Sequence, residues 1–148
     1  MSWHEARTDC WMEVGTEGKH GDLISLHTEQ EANLIASKTS QDGLQNFWTG
    51  LARGGDGSFS WVDGTPYDLE WWLDGEPNCY EGCGEDCVEA YHVDARWNDA
   101  YCYEQKASIC MTDKRRESHY IKQIQETICL LKFKDLQLQQ GPQQELQQ

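Results

Sequence analysis

The chain has 148 residues, enough for one domain with a real core and too few for two comfortable ones. Twenty-six acidic residues against twelve basic ones leave a net charge of −14. That balance argues against nucleic acid, whose phosphates need clustered Lys and Arg, and suits a protein that holds cations. No stretch approaches the ~18 consecutive apolar residues of a membrane span.

In chain order, WHEARTDCWMEV sets Trp3, Ala6, Cys10 and Val14 on a helical stripe. GTEGKHGD is a loop by composition. HTEQEANLIASK reads as a second helix, with Thr28 as N-cap, Glu31 closing a capping box, and Ala32, Leu34 and Ile35 facing inward. QNFWTGLA is short, aromatic and bounded by glycine, which predicts a strand; RGGDGS is a turn and FSWVDG a second strand. From Gly64 to Asp86 regular periodicity stops, apart from the apolar LEWWL. A loop of this length inside a compact domain usually carries function, and Trp71, Trp72 and Leu73 favour an ordered one. CVEAYHV, ARWNDAYC and KASICMT then predict three more strands. Two helices followed by a run of strands around a long loop make the class α+β.

After Lys114 the composition changes. The domain is expected over residues 1–113, and 114–148 as a tail with a marginal helix and a glutamine-rich disordered end. An oligomerising helix over 118–138 is the alternative, since Ile121, Ile124, Ile128 and Leu131 fall at 3-4-3 spacing.

The cysteines bear on both location and chemistry. Seven in a chain of this length point to an oxidised, extracellular protein. MSWHEARTDC has none of the regions of a signal peptide, so Met1 reads as a cut inside a longer chain. GEPNCYEGCGEDC, residues 75–87, mixes Cys79, Cys83 and Cys87 with oxygen donors. A thiolate zinc site is one option. Structural zinc, however, favours paired C-x2-4-C knuckles with a longer spacer, and the nearest histidine here is His92. An oxygen site fits better: Glu76, Asn78 and Glu85, with Asn98 and Asp99 farther on, are the donors calcium takes. The plain alternative is an acidic loop that is merely solvated.

E-P-N in the long loop, W-N-D on a later strand, F-W-T-G-L before the loop and W-V-D-G-T at its start together resemble the C-type lectin-like domain. H-E-A-R-T-D-C, G-D-L-I-S-L-H-T-E-Q-E-A and E-D-C-V-E extend the match, in family order, from Trp3 to Cys110. The resemblance implies disulfides Cys10–Cys110 and Cys87–Cys102, which leaves Cys79 and Cys83 to pair with each other. Cys129 would be free or bridged to another chain. It implies one calcium ion held by Glu76, Asn78, Glu85, Asn98 and Asp99, with the Glu76–Pro77 peptide cis. Two vicinal hydroxyls of a sugar would bind that calcium, Glu76 and Glu85 accepting their protons and Asn78 and Asn98 donating to their lone pairs. E-P-N is the version associated with equatorial 3- and 4-hydroxyls, as in mannose, N-acetylglucosamine or fucose.

The chain departs from the family pattern in three places. Arg53 and Cys79 stand where many members carry acids for a second calcium, leaving Asp56, Glu85 and Asp86 nearby. The extra Cys79–Cys83 staple lengthens the loop. The usual first strand before the first helix is missing. Two other functions compete: a protein-binding module in which calcium only orders the loop, and an enzyme using Glu76 and Glu85 as a glycosidase-like acid pair. Calcium-bound carboxylates are held ionised and make poor general acids, so no enzyme is expected. Trp71, Trp72 and Trp97 are expected in the core and not as a binding platform.

Overall fold

The structure is a computed structural model that describes residues 1–13 and 20–111. Helix α1 (Trp3–Met12) opens with a capping box: Ser2 Oγ accepts the Glu5 amide while the Glu5 carboxylate accepts the Ser2 amide. It buries Trp3, Ala6 and Cys10, as the stripe predicts, while Val14 lies outside the described residues. Strand β1 (Asp22–Leu23) follows, and helix α2 (Glu29–Gln41) starts at the expected Thr28–Glu31 box. The inward face of α2 extends the expected one: Ala32 is buried and Ile35 packs against the core, but Ala36 and Thr39 also turn inward. Ala32, Ala36 and Thr39 are buried, at i, i+4 and i+7, whereas Leu34 and Ile35 are half-buried. Thr39 hydroxyl reaches the His92 carbonyl at 3.0 Å, so a polar residue serves as the contact that ties the helix down.

Strand β2 (Phe47–Arg53) runs through the centre of the main sheet. It pairs antiparallel with β3 (Phe59–Trp61) and with β4 (Cys87–Ala90), which pairs in turn with β5 (Trp97–Ala100). The short α3 (Tyr80–Cys83) interrupts the long loop before β4. The run KASICMT, expected as one strand, divides into β6 (Ala107–Ser108), parallel to β2, and β7 (Cys110–Met111), antiparallel to β1. Ile109 between them accepts the Ile24 amide at 2.9 Å. Gly50 has to be glycine: a Cβ there would meet the Leu23 carbonyl at 2.8 Å.

Trp48, Trp97, Phe47, Leu23, Leu26, Leu51 and Val88 are fully buried, and each such side chain contributes on the order of 1.5–3 kcal/mol. Trp71 and Trp72 are partly buried and pack against this core with Trp97, as expected. The Cys10–Cys110 and Cys87–Cys102 disulfides are both present. Cys79 is disulfide-bonded, whereas the side chain of Cys83, Cys129 and the expected tail helix lie outside the described residues. At the other end, Met1 and Lys106 exchange both backbone hydrogen bonds, each 3.0 Å.

The loop between β3 and β4 is clamped to the sheet around one residue. The Trp97 amide donates to the Trp71 carbonyl and the Trp97 carbonyl accepts the Leu73 amide, each at 2.9 Å. Arg96 adds a bond to the Trp72 carbonyl at 3.2 Å. This clamp lays residues 71–73 along β5 and so brings Glu76-Pro77-Asn78 beside Asn98-Asp99.

Candidate ion and ligand site

The Glu76–Pro77 peptide is cis, as the resemblance implies. Beyond it, the Glu76 carboxylate accepts both the Asn78 amide (3.0 Å) and the Asn78 side-chain Nδ2 (2.8 Å). Asp99, on β5, has a side chain with no exposed surface. Its Oδ1 accepts the Asn78 amide at 3.1 Å, and its Oδ2 accepts the Cys79 amide at 3.2 Å. Cys79 adopts a left-handed backbone, φ +52°, at the start of α3. Glu85, 8 % exposed, accepts the Tyr80 amide at 2.7 Å. Three carboxylates from the loop and β5 therefore surround one backbone segment, residues 78–80.

Those carboxylates repel one another. Burial raises the Glu76 pKa above its ordinary value of 4.5, and a hydrogen bond to Asp99 together with the charges of Asp99 and Glu85 raises it further. Glu85 is raised chiefly by burial and also by the charges of Asp99 and Glu104, against the lowering effect of the Tyr80 amide. The cluster carries more negative charge than its surroundings stabilise, the condition that a hard cation relieves. Carboxylates of Glu76, Glu85 and Asp99 with carboxamides of Asn78 and Asn98 make an all-oxygen donor set that fits calcium. Among the described residues no group of three or more His, Cys, Asp or Glu is already set at metal-ligand spacing.

Asn98 is brought to the same strand but turned elsewhere. Its Nδ2 donates to Glu89 Oε1 at 3.0 Å, Glu89 lying directly opposite it on β4. Glu89, 5 % exposed, also takes Asn46 Nδ2 at 3.1 Å and Lys106 Nζ at 3.1 Å. Burial alone pushes the Lys106 ammonium down, but Glu104 and Glu89 more than reverse it and its pKa is raised. Glu89 orients a candidate ligand without itself standing in the expected set; its signal was an acid in an otherwise apolar strand, CVEA. His92 reaches this network through Asn46, whose Oδ1 lies 3.2 Å from His92 Nδ1.

Arg53 is the second residue whose role the sequence left unread. Its Nη2 donates to Asp99 Oδ2 at 2.7 Å, and its Nε lies 3.7 Å from Asp86 Oδ1. Its side chain is 15 % exposed, its guanidinium sits 4.5 Å from the centre of the Phe59 ring, and its amide donates to the Asp86 carbonyl at 2.8 Å. Asp56, once a candidate for a second ion, is taken up by its own turn, accepting the amide and hydroxyl of Ser58.

The raised glutamate pKa values set a pH dependence. A carboxyl whose folded pKa lies above its unfolded value binds protons more readily in the fold. Its contribution to ion-free stability is therefore greatest below about 4.5 and is lost as pH rises through the raised values. Calcium acts in the opposite sense, because it needs the same groups ionised. Melting temperatures from pH 7 to 4.5 should thus show the gap between calcium and EDTA samples closing on acidification. Its midpoint should move to lower pH when calcium is raised tenfold. A midpoint indifferent to calcium would reject the carboxylate account.

The family model described as the lectin C-type domain matches residues 1–112. Human C-type mannose receptor 2 is 33% identical over 110 residues, covering 74% of this chain and 7% of the receptor. The chain thus spans a small fraction of that curated relative. Among solved structures, the C-type lectin CEL-I from Cucumaria echinata superposes with a TM-score of 0.67 at 25% identity, covering 74% of this chain and 81% of that one. The cow C-type carbohydrate-recognition domain of CD23, in the presence of GlcNAc2Man3 oligosaccharide, gives 0.55 at 32% identity over 73% and 74%. A calcium-independent type II antifreeze protein gives 0.60 at 31% identity over 74% and 77%.

Proposed function

The chain belongs to the lectin C-type domain family, and from that premise we propose that residues 1–113 bind mannose-type sugars through a calcium ion held at the E-P-N loop. Membership makes it a binding domain and not an enzyme. The observation that carries the proposal is the convergence of Glu76, Asn78, Glu85 and Asp99 on one segment, with an excess of negative charge among them. Asn98 completes the set once its amide leaves Glu89. Bound calcium would supply the coordination sites for two vicinal hydroxyls. Glu76 and Glu85 would accept the hydroxyl protons, and Asn78 and Asn98 would donate to the remaining lone pairs. Each side chain then has two tasks, ligating the ion and orienting the sugar.

The hydroxyl pattern expected is equatorial at positions 3 and 4. The names of two relatives support sugars of this kind: a mannose receptor, and a CD23 domain crystallised with GlcNAc2Man3. We place the protein outside the cell, as a secreted lectin or a receptor ectodomain, on the strength of its disulfides and its receptor relatives. No helix among the described residues is long and apolar enough to cross a membrane. Contact with other chains through Cys129 or residues 118–138 stays a proposal from sequence.

Retention on immobilised mannose with calcium, abolished by EDTA, is the expected result. Glu76→Gln combined with Asn78→Asp should move preference from mannose toward galactose, because it reverses the order of donors and acceptors around the ion. A double variant that keeps the mannose preference at unchanged affinity would reject the assigned site. One observation favours a second reading, a module that binds protein without sugar: Arg53 already places a cation against Asp99, and the antifreeze neighbour is calcium-independent. Wild-type protein that is retained on none of mannose, N-acetylglucosamine or fucose, with or without calcium, would support it.

A further inference from the structure

A buried ion pair lies beside the candidate ion site. Asp99 has no exposed side-chain surface, and a carboxylate so buried is costly without a partner. The partner is already in the chain. Arg53 stands at the end of β2, held there by the hydrogen bond its amide donates to the Asp86 carbonyl and by the Phe59 ring beside its guanidinium. From that position it reaches Asp99 at 2.7 Å and lies 3.7 Å from Asp86. Asp99 in turn accepts the amides of Asn78 and Cys79. A continuous path therefore runs from β2 through one guanidinium and one carboxylate to the backbone of the E-P-N loop.

We propose that Arg53 is a resident counter-cation and a positioning residue: it holds Asp99 against the Asn78 and Cys79 amides, so that the loop is ordered before any ion binds. Calcium is then added to a loop already in place, and is not the agent that folds it. The inference rests on the calcium reading for the ion's identity, but the effect of Arg53 on the order of the ion-free loop is tested without it. It also gives Arg53 an effect on affinity. By sharing Asp99 Oδ2, the guanidinium competes for charge that the ion would otherwise hold, while it reduces the ordering entropy lost on binding.

Hydrogen exchange of the Asn78 and Cys79 amides separates these effects, measured by mass spectrometry on the peptide spanning residues 76–86 in EDTA and in calcium. In the wild type, protection in EDTA should lie within about threefold of that in calcium. In Arg53→Gln, exchange in EDTA should speed up by roughly tenfold or more, and calcium should restore protection. Arg53→Lys keeps the charge but not the planar fork and should fall between, which preserves the test if the glutamine variant unfolds. A wild-type loop that exchanges freely in EDTA overturns the proposal. So does a glutamine or lysine variant with wild-type protection in EDTA, and so does faster exchange that calcium fails to reverse in a protein shown by calorimetry to bind calcium. If calorimetry shows that the wild type binds no calcium, the functional proposal fails, and Arg53 is judged on the EDTA comparison alone.

Discussion

Asp99→Asn should destabilise the ion-free domain by about 3 kcal/mol, the lower part of the range for breaking one side of a buried ion pair. The carboxylate has no exposed surface and accepts from Arg53, Asn78 and Cys79. A carboxamide offers one acceptor oxygen in place of two and turns an NH2 toward a donor. Arg53 would be left largely buried, with the more exposed Asp86 at 3.7 Å and the charge of Glu85 nearby. Urea unfolding in EDTA isolates this loss from any effect of calcium, whose binding the variant should also abolish. Adding Arg53→Gln to Asp99→Asn should cost less than the sum of the single changes, since the second substitution removes the stranded charge. A drop below about 1 kcal/mol for Asp99→Asn would mean that the pair is screened by water and does not organise the loop.

Replacing Cys10 and Cys110 together by alanine should cost about 4–5 kcal/mol, because the bridge closes a chain segment of 100 residues. The same replacement at Cys87 and Cys102, separated by 15 residues, should cost about 3 kcal/mol. The larger figure is comparable with the whole stability of many small domains, which lies between about 5 and 15 kcal/mol. Denaturant unfolding of both variants tests the order as well as the size. If loss of the shorter bridge proves the more damaging, its tie from β4 to the turn after β5 matters more than the chain entropy it removes.

Much of this arrangement could be seen in the amino-acid sequence, for identifiable reasons. The Thr28–Glu31 box and the bounded runs QNFWTGLA and FSWVDG are local signals, and they gave α2, β2 and β3. The inward face of α2 was read in part: Ala32 and Ile35 were expected there, but Ala36 and Thr39, small or polar, gave no apolar signal. Strand β1 has two residues and exists through its pairing with β7, so no period could reveal it. At the site, the donor types were legible from motif and spacing. The partners that aim them were not: Arg53 and Glu89 act across strands, and a pairing register is needed to see that Glu89 faces Asn98. The turn of Asn98 toward Glu89 is likewise a property of the folded sheet.

The clamp around Trp97 gives the domain an optical readout of its own. Trp97 immediately precedes Asn98 and Asp99 on β5, and its ring meets those of Trp61 and Trp72 edge to face at 5.5 and 5.6 Å. Chromophores this close couple their transitions, so the near-ultraviolet circular dichroism of the domain carries an exciton signature set by their mutual angles. A rotation of β5 as a whole would carry the Trp97 ring with it and change that signature. If calcium binding at the neighbouring loop moves β5, the near-ultraviolet spectrum should differ between calcium and EDTA, with the indole cluster serving as the dial.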